Sequence, residues 1–378
     1  MYPKETAGYF ENQRQEMICD LRAWVEIESP TSVKSSVDEF GRAVAAKFAD
    51  IGMSIEWKRD ENRGDHLIAR WGSRHGHLLL IGHLDTVWEL GTLQRIPCEI
   101  NDEIGRGPGI FDMKAGLILA LYALRLMRDQ HLDKYPVTFL ATSDEEEGST
   151  GSRELIEQEA RSAIAAFVLE PAGPNNSVKT KRRGVGRYTV ETHGRAAHAG
   201  VEPEKGINAI EELSHQLIEV QSWNRLRNGI SVNAGLIQGG TRTNVIPEHA
   251  EAIIDVRCDA MDDVKWLSDQ FSGLTPKKEG ARITVTGGVE RPPLERTDKV
   301  LRLYQQAKEI GDAMNYSLSE FWTGGGSDGN LTAALGVPTL DGLGAEGGGA
   351  HALNEHILTA SLPRRAALLY HLILRQFA

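Results

Sequence analysis

His83 and Asp85 stand two residues apart at the end of an apolar run, Leu78 to Ile81. Further along come Asp112, the acidic block Asp144-Glu145-Glu146-Glu147, then Glu170 and His351. Imidazole and carboxylate donors without thiolate suit Zn²⁺ first, and Co²⁺ or Mn²⁺ after it. Two histidines with three or four carboxylates match two divalent ions about 3.5–4 Å apart, bridged by a carboxylate and a water, which makes hydroxide available near neutral pH. A carboxylate beside that water takes its proton and later gives it to a leaving amine. Adjacent glutamates divide these jobs, one on metal and one on water. Singly, each residue has a plainer account. A His-x-Asp pair after a strand suits a loop histidine beside a cap, Asp112 a helix N-terminus favoured by the dipole, and a run of acids a solvated patch. His193, His215, His249 and His356 are left as ordinary loop histidines.

The elements that would position these groups follow from apolar patterning. Strands are expected at His66–Trp71, His77–Ile81, Val137–Thr142 and Ala163–Leu169, and three of them end on His83/Asp85, Glu145/Glu146 and Glu170. Ligands bind at the carboxyl ends of strands in open α/β sheets, so that convergence carries the metal reading. Helices are expected over residues 11–27, 38–52 and Ala115–Met127, the last strongly apolar and buried. From Gly184 to about Arg291 the order is strand (Val185–His193), helix (Gly206–Val220), strand (Ser231–Gly239), strand (Ala250–Cys258), helix (Asp263–Leu274), strand (Ala281–Thr286), the βαββαβ split unit. Helix Leu301–Asp312, a Gly-rich turn Trp322–Asp328, helix Asn330–Leu335, strand Val337–Leu340, the loop carrying His351 and a closing helix Leu362–Phe377 complete the chain. The fold class is therefore α/β, with a catalytic metal-binding domain over 1–183 and 294–378, built on a central mixed sheet, and an inserted ferredoxin-like domain over 184–293.

The net charge of −11 argues against a nucleic-acid or membrane-surface binder, because both surfaces are anionic. Cys19, Cys98 and Cys258 are odd in number and scattered. They read as reduced thiols of a cytoplasmic protein. The N-terminus, Met1 to Asp20, is polar and mixed in charge, without the apolar core of a signal peptide, and no later stretch is long enough to span a bilayer.

Seven segments together resemble one family: His83-Leu84-Asp85-Thr86-Val87, Gly107-Pro108-Gly109-Ile110-Phe111-Asp112-Met113-Lys114, Ser143 to Ser149, Glu170-Pro171, Ala197-His198-Ala199-Gly200, Asn244-Val245-Ile246-Pro247 and Gly324-Gly325-Gly326-Ser327-Asp328. The chain resembles the dinuclear zinc peptidases and amidohydrolases that include carboxypeptidase G (glutamate carboxypeptidase), aminoacylase and succinyl-diaminopimelate desuccinylase. The resemblance covers nearly the whole chain and is nearest to the carboxypeptidase G type. It implies two Zn²⁺ per subunit, with His83, Asp112, Glu146, Glu170 and His351 as ligands and Asp112 bridging. It makes Asp85 the carboxylate that holds the His83 ring and Glu145 the general base and acid. It implies a cis peptide bond after Asp112, and a homodimer formed through the inserted domain, which acts as a lid. His198 would polarise the scissile carbonyl, in its own or its partner's site, with Asn244 beside it. Arg291 would clasp a free substrate carboxylate, a bidentate task that lysine does poorly. Asp328 and the glycines before it shape a loop, with Gly325 and Gly326 taken as substrate contacts.

The sequence departs from the carboxypeptidase G pattern after Glu170-Pro171. Val178 and Thr180 stand where that relative has a lysine and a serine, with Lys179 and Lys181 beside them in the basic run Lys179-Thr180-Lys181-Arg182-Arg183. Trp322 replaces an arginine. An aromatic there can stack on an aryl acyl group, but the plainer account of Trp322 is a core or rim position. The activity implied is hydrolysis of an amide bond in a small peptide or N-acyl amino acid, releasing a C-terminal amino acid, glutamate or another acidic residue. An aminoacylase or N-carbamoyl amino-acid amidohydrolase is the alternative within the class. A non-catalytic binding module on the same fold is the alternative outside it, opposed by the presence of every ligand type and Glu145.

Overall fold

The computed structural model describes residues 1–378. The chain forms two compact units: Met1–Lys181 with Arg296–Thr323 and Ser327–Ala378, and Arg182–Glu295 with Gly324–Gly326.

The first unit is built on a six-stranded mixed sheet in the order Ser54–Lys58, His66–Trp71, Val137–Thr142, His77–His83, Ala163–Val168, Thr339–Leu340. The strand His77–His83 is buried along its whole length and runs parallel to both neighbours. Side chains alternate across a strand, and the two faces feed separate cores. Leu78, Leu80, Phe139 and Phe167 pack on one side with the helices Arg14–Val25, Lys34–Asp50, Ala115–Asp129 and Leu362–Arg375, while Leu79, Ile81, Leu140 and Ala166 pack on the other with Leu155, Ile156 and Leu331. The helix Ala115–Asp129 is apolar and buried from Ala115 to Leu124 and again at Leu126 and Met127, with Arg125, Arg128 and Asp129 towards solvent. Its first turn lies so near a strand end that a Cβ on Gly116 would stand 2.0 Å from the Leu169 carbonyl oxygen.

The second unit has the expected order of elements. Four antiparallel strands lie in the order Ile230–Gly239, His249–Cys258, Gly184–His193, Arg282–Arg291. The helices Ala209–Ser222 and Met261–Ser272 contribute Leu213, Val220, Leu267 and Phe271 to a core with Tyr188, Val190, Ala252, Ile254 and Val256. At the neck of this unit, Arg182 and Leu294 exchange backbone hydrogen bonds, N to O at 3.0 and 3.1 Å. No helix of the chain is long and apolar enough to cross a membrane.

Three local expectations change. The helix expected over 11–27 is Arg14–Val25, and a further helix, Pro3–Glu11, precedes it across Asn12-Gln13. This further helix begins with Pro3, and Glu5 accepts from the Tyr2 amide at 2.9 Å, so it has its own start signal. The last strand of the second unit runs on to Arg291 instead of stopping at Thr286, because Gly287 and Gly288 stay in the ladder. Gly287 has φ 101°, and a Cβ there would meet the Arg187 carbonyl at 2.1 Å. The start of the expected turn Trp322–Asp328 belongs to a strand, Glu320–Thr323, paired with Val178–Arg182.

Candidate metal centre

The parallel register aligns the ends of three strands: His83 lies opposite Thr142, and Ile81 opposite Val168. The chain leaves these strands into Asp85, Glu145-Glu146 and Glu170 at one edge. Asp112 arrives from the loop that opens the buried helix, and its peptide bond to Met113 is cis. His351 comes from the second Gly-rich loop, in the left-handed region at φ 61°. A non-glycine residue held there costs about 1–3 kcal/mol and persists where its surroundings demand it.

Two groups of donors form around one aspartate. His83 Nε2 lies 3.1 Å from Asp112 Oδ1 and 3.6 Å from Glu170 Oε1. His351 Nε2 lies 3.4 Å from Asp112 Oδ2 and 3.1 Å from Glu146 Oε2. His83, Asp112 and Glu170, and Asp112, Glu146 and His351, therefore make two convergent triads that share Asp112 through its two oxygens. The buried Glu146 Oε1 has no hydrogen-bond partner. A buried carboxylate oxygen left so is costly unless a cation answers it. The donor set is nitrogen and oxygen only, without thiolate. On these observations the residues fit a pair of divalent ions.

The charges of the site bear this out. Burial opposes a proton on the His83 ring, yet Asp112 and Glu170 outweigh it and hold the imidazole well above its usual range. Hydrogen bonds to Asp112 and Glu146 push His351 up to about 10. Burial raises Asp112, but the two imidazoles prevail and hold its carboxyl well below the usual carboxylate range. The histidines thus take up protons to neutralise the acids, the task a divalent ion performs when bound, and protons compete with metal for these atoms.

The supports of these groups are as specific as the groups. His83 Nδ1 lies 2.9 Å from the backbone carbonyl of Asp85. A carbonyl only accepts, so Nδ1 carries the proton, and Nε2 is the nitrogen that faces Asp112 and Glu170. The contact falls on the far nitrogen, as an orienting role for Asp85 requires, but it is made by the main chain; the carboxylate stands 3.6 Å away. Asp85 instead spends its fully buried carboxylate on Thr31 Oγ1 at 2.8 Å and on the amides of Glu145 (3.3 Å) and Glu146 (3.2 Å). Burial pushes it up to about 7, against the pull of His83. One aspartate therefore orients a histidine with its carbonyl and fixes the turn of two glutamates with its side chain. Glu145 is buried at that turn.

Glu355 has no part in the sequence reading. Its buried carboxylate accepts from the amides of Gly109 (2.9 Å), Phe111 (2.8 Å) and Asp112 (3.0 Å), and from Trp88 Nε1 at 2.7 Å. It is the anchor of the loop that presents Asp112. The position four residues after His351 was the available signal, but nothing marks one acid in a loop as buried. Asp328 is also structural: it accepts from Thr142 Oγ1 at 2.8 Å and from Ser149 Oγ.

In the second unit, His198 and Asn244 are neighbours. Ala197–His198 pairs with Val245–Ile246, and the Ala199 amide donates to the Asn244 carbonyl at 3.0 Å. Arg291 lies against the glycine loop, where a Cβ on Gly326 would stand 3.2 Å from Arg291 Cδ. Arg182 Nη1 donates to the carbonyls of Gly325 (3.3 Å) and Gly326 (2.8 Å). The basic run is thus largely engaged. Arg183 binds Asp259 and the Gly229 carbonyl, and Lys179 Nζ stands 4.0 Å from Glu170. Val178 is buried and Thr180 donates to Glu320. Trp322 is exposed, with Lys181 Nζ 5.8 Å from its ring.

Comparison with known proteins agrees with this geometry. Residues 79–375 match the family described as Peptidase family M20/M25/M40. The chain is 28% identical to carboxypeptidase G2 of Pseudomonas sp. (strain RS-16), over 96% of this chain and 90% of that one. Its fold is similar to an aminopeptidase PepT from Bacillus cereus, with a TM-score of 0.80 and 24% identity over 97% and 99% of the two chains. It is also similar to a dinuclear metal-binding M20 peptidase from Bacillus subtilis, with a TM-score of 0.71 and 15% identity over 97% and 98%. The chain belongs to Peptidase family M20/M25/M40 and is a hydrolase of the metallopeptidase and amidohydrolase type.

Proposed function

We propose that the protein hydrolyses an amide bond in a small peptide or N-acyl amino acid and releases a C-terminal amino acid with a free carboxylate, glutamate or another acidic residue. The observation that carries this reading is the pair of donor triads sharing Asp112, with the amides of Glu145 and Glu146 both held by the Asp85 carboxylate. Likeness to a carboxypeptidase over nearly the full length supports the choice of bond. His83, Asp112, Glu146, Glu170 and His351 hold two Zn²⁺, which supply Lewis acidity when bound. Glu145 takes a proton from the attacking water and returns it to the leaving amine. Asp85 orients His83 and the glutamate turn. His198 polarises the scissile carbonyl and Asn244 contacts the substrate. Arg291 clasps the carboxylate, and Gly325 and Gly326 offer backbone to the substrate. The acidic preference is motivated by Arg291 and by the basic stretch Lys179–Arg183.

The second unit also supports a homodimer. Ile230–Gly239 is an edge strand ten residues long, and its Leu236 and Ile237 are exposed, with Ile218 exposed on the helix Ala209–Ser222. A long edge with apolar side chains is a template for pairing with a second copy.

The test is a substrate panel on the zinc-loaded enzyme: N-acyl, N-carbamoyl and dipeptide substrates ending in Glu, Asp, Ala or Lys, each with a free or amidated carboxyl. Substrates with a free carboxylate, acidic ones foremost, are expected to turn over, and Arg291→Ala to lose that preference. Equal turnover of amidated substrates by the wild type would remove the carboxylate clasp.

A further inference from the structure

Far from Asp112 in the chain, the second unit brings together three donors that no sequence motif joins: Glu191, His193 and His249. His193 ends one strand and His249 begins the next, and the two face each other across the antiparallel ladder. The Gly194 amide donates to the Glu248 carbonyl just outside the pair, so this is a non-hydrogen-bonded pair, the arrangement with the closer side chains. The ring centroids are 5.3 Å apart. Glu191, two residues before His193, projects from the same face of the sheet. Both Nε2 atoms converge on one oxygen, Glu191 Oε2, at 3.5 Å from His249 and 3.7 Å from His193.

These distances are long for hydrogen bonds. They are close to the separation between two ligands on a tetrahedral ion. With metal–ligand bonds of about 2.0–2.1 Å, the tetrahedral edge is about 3.4 Å. Glu251 lies directly opposite Glu191 and adds negative charge, Thr284 Oγ1 stands 3.4 Å from His193 Nε2, and Arg282 flanks His193 on the other side. All three donors are partly open to solvent, which leaves a fourth position for water.

We infer that Glu191, His193 and His249 form a further divalent-cation site on the open face of the second unit's sheet, for Zn²⁺ or another ion that favours imidazole, separate from the dinuclear centre. The ion ties two strands of the sheet and stabilises this unit.

The test uses the full chain. Metal is removed, Zn²⁺ is titrated back, and bound metal per chain is measured for the wild type, His249→Ala and the double variant His193→Ala/His249→Ala. The wild type is expected to bind one equivalent more than either variant. Its unfolding temperature should rise on that last addition, and that of the variants should not. Amide hydrolysis should be unchanged in both variants, which separates this site from the dinuclear centre. The ¹H–¹⁵N signals of the His193 and His249 rings should shift in the wild type at the same addition. Equal stoichiometry in all three proteins, or ring signals that do not move, would overturn the assignment even if the dinuclear reading holds.

Discussion

Replacing Glu355 by alanine tests how Asp112 is held. The carboxylate is buried and accepts four hydrogen bonds at 2.7–3.0 Å, three from main-chain amides of the loop Gly109–Asp112 and one from Trp88. Hydrogen bonds to a charged group contribute about 1.5–3 kcal/mol each, and a buried donor left unsatisfied costs about 1–3 kcal/mol. Water entering the space left behind recovers part of that loss, and the buried Lys114, which the Glu355 charge supports, loses a partner. Glu355→Ala should therefore lower stability by about 3–5 kcal/mol, the range for removing one member of a buried charged network. Glu355→Gln, which keeps shape and one carbonyl acceptor, should lose less. Because the Asp112 amide is one of the four donors, metal affinity should also fall, by about 10–100-fold as for other groups that orient ligands. Urea unfolding monitored by tryptophan fluorescence gives the first quantity, and competition with a chelating dye the second. A stability change under about 1 kcal/mol with wild-type metal affinity would refute the anchoring role.

Glu145→Ala should abolish turnover while bound metal stays near the wild-type level; loss of metal in that variant would mean that Glu145 and Glu146 have exchanged roles. Asp85→Ala should lower metal affinity and turnover together, because one substitution frees the Glu145–Glu146 turn and disturbs the segment that holds the His83 ring; calorimetric zinc titration reads it. Gly116→Ala should destabilise the protein by several kcal/mol, since a Cβ 2.0 Å from the Leu169 carbonyl oxygen forces helix and strand apart, and a thermal midpoint close to wild type would contradict this. His371, beside Thr6 at 2.8 Å, is held down to about 4 by burial and then by the charges of the N-terminal amine and Arg375, against an ordinary 6.5. The unfolded chain protonates first, so stability is intact above pH 6.5 and is lost as pH falls from there towards about 4. His371→Gln should flatten that limb of the stability profile.

The parts legible in the sequence were those with local causes. His66–Trp71 and Val137–Thr142 have the expected bounds because an apolar β-rich run stops abruptly at polar residues. The convergence of His83, Glu145/Glu146 and Glu170 followed from strand ends alone, and the triads contain His83, Glu146 and Glu170 of that set. What escaped depended on register or burial. The pairing of His193 with His249 exists only once two strands 56 positions apart are aligned. Glu355 looks like any loop acid until the Gly109–Asp112 amides close on it. The strand expected to end at Thr286 continues through Gly287 and Gly288 to Arg291, and Gly287 permits the close approach of the neighbouring strand.

The reciprocal hydrogen bonds between Arg182 and Leu294 place the entry and exit of the second unit side by side. Partners of that kind have Cα atoms about 5.5 Å apart, a gap that a two-residue turn spans. Everything between them forms its own sheet and core, so the unit is a cassette: a single insertion or excision at this neck exchanges it without rerouting the rest of the chain. A version with the segment replaced by a tight turn, and the segment expressed alone, are both natural starting points for exchanging this unit.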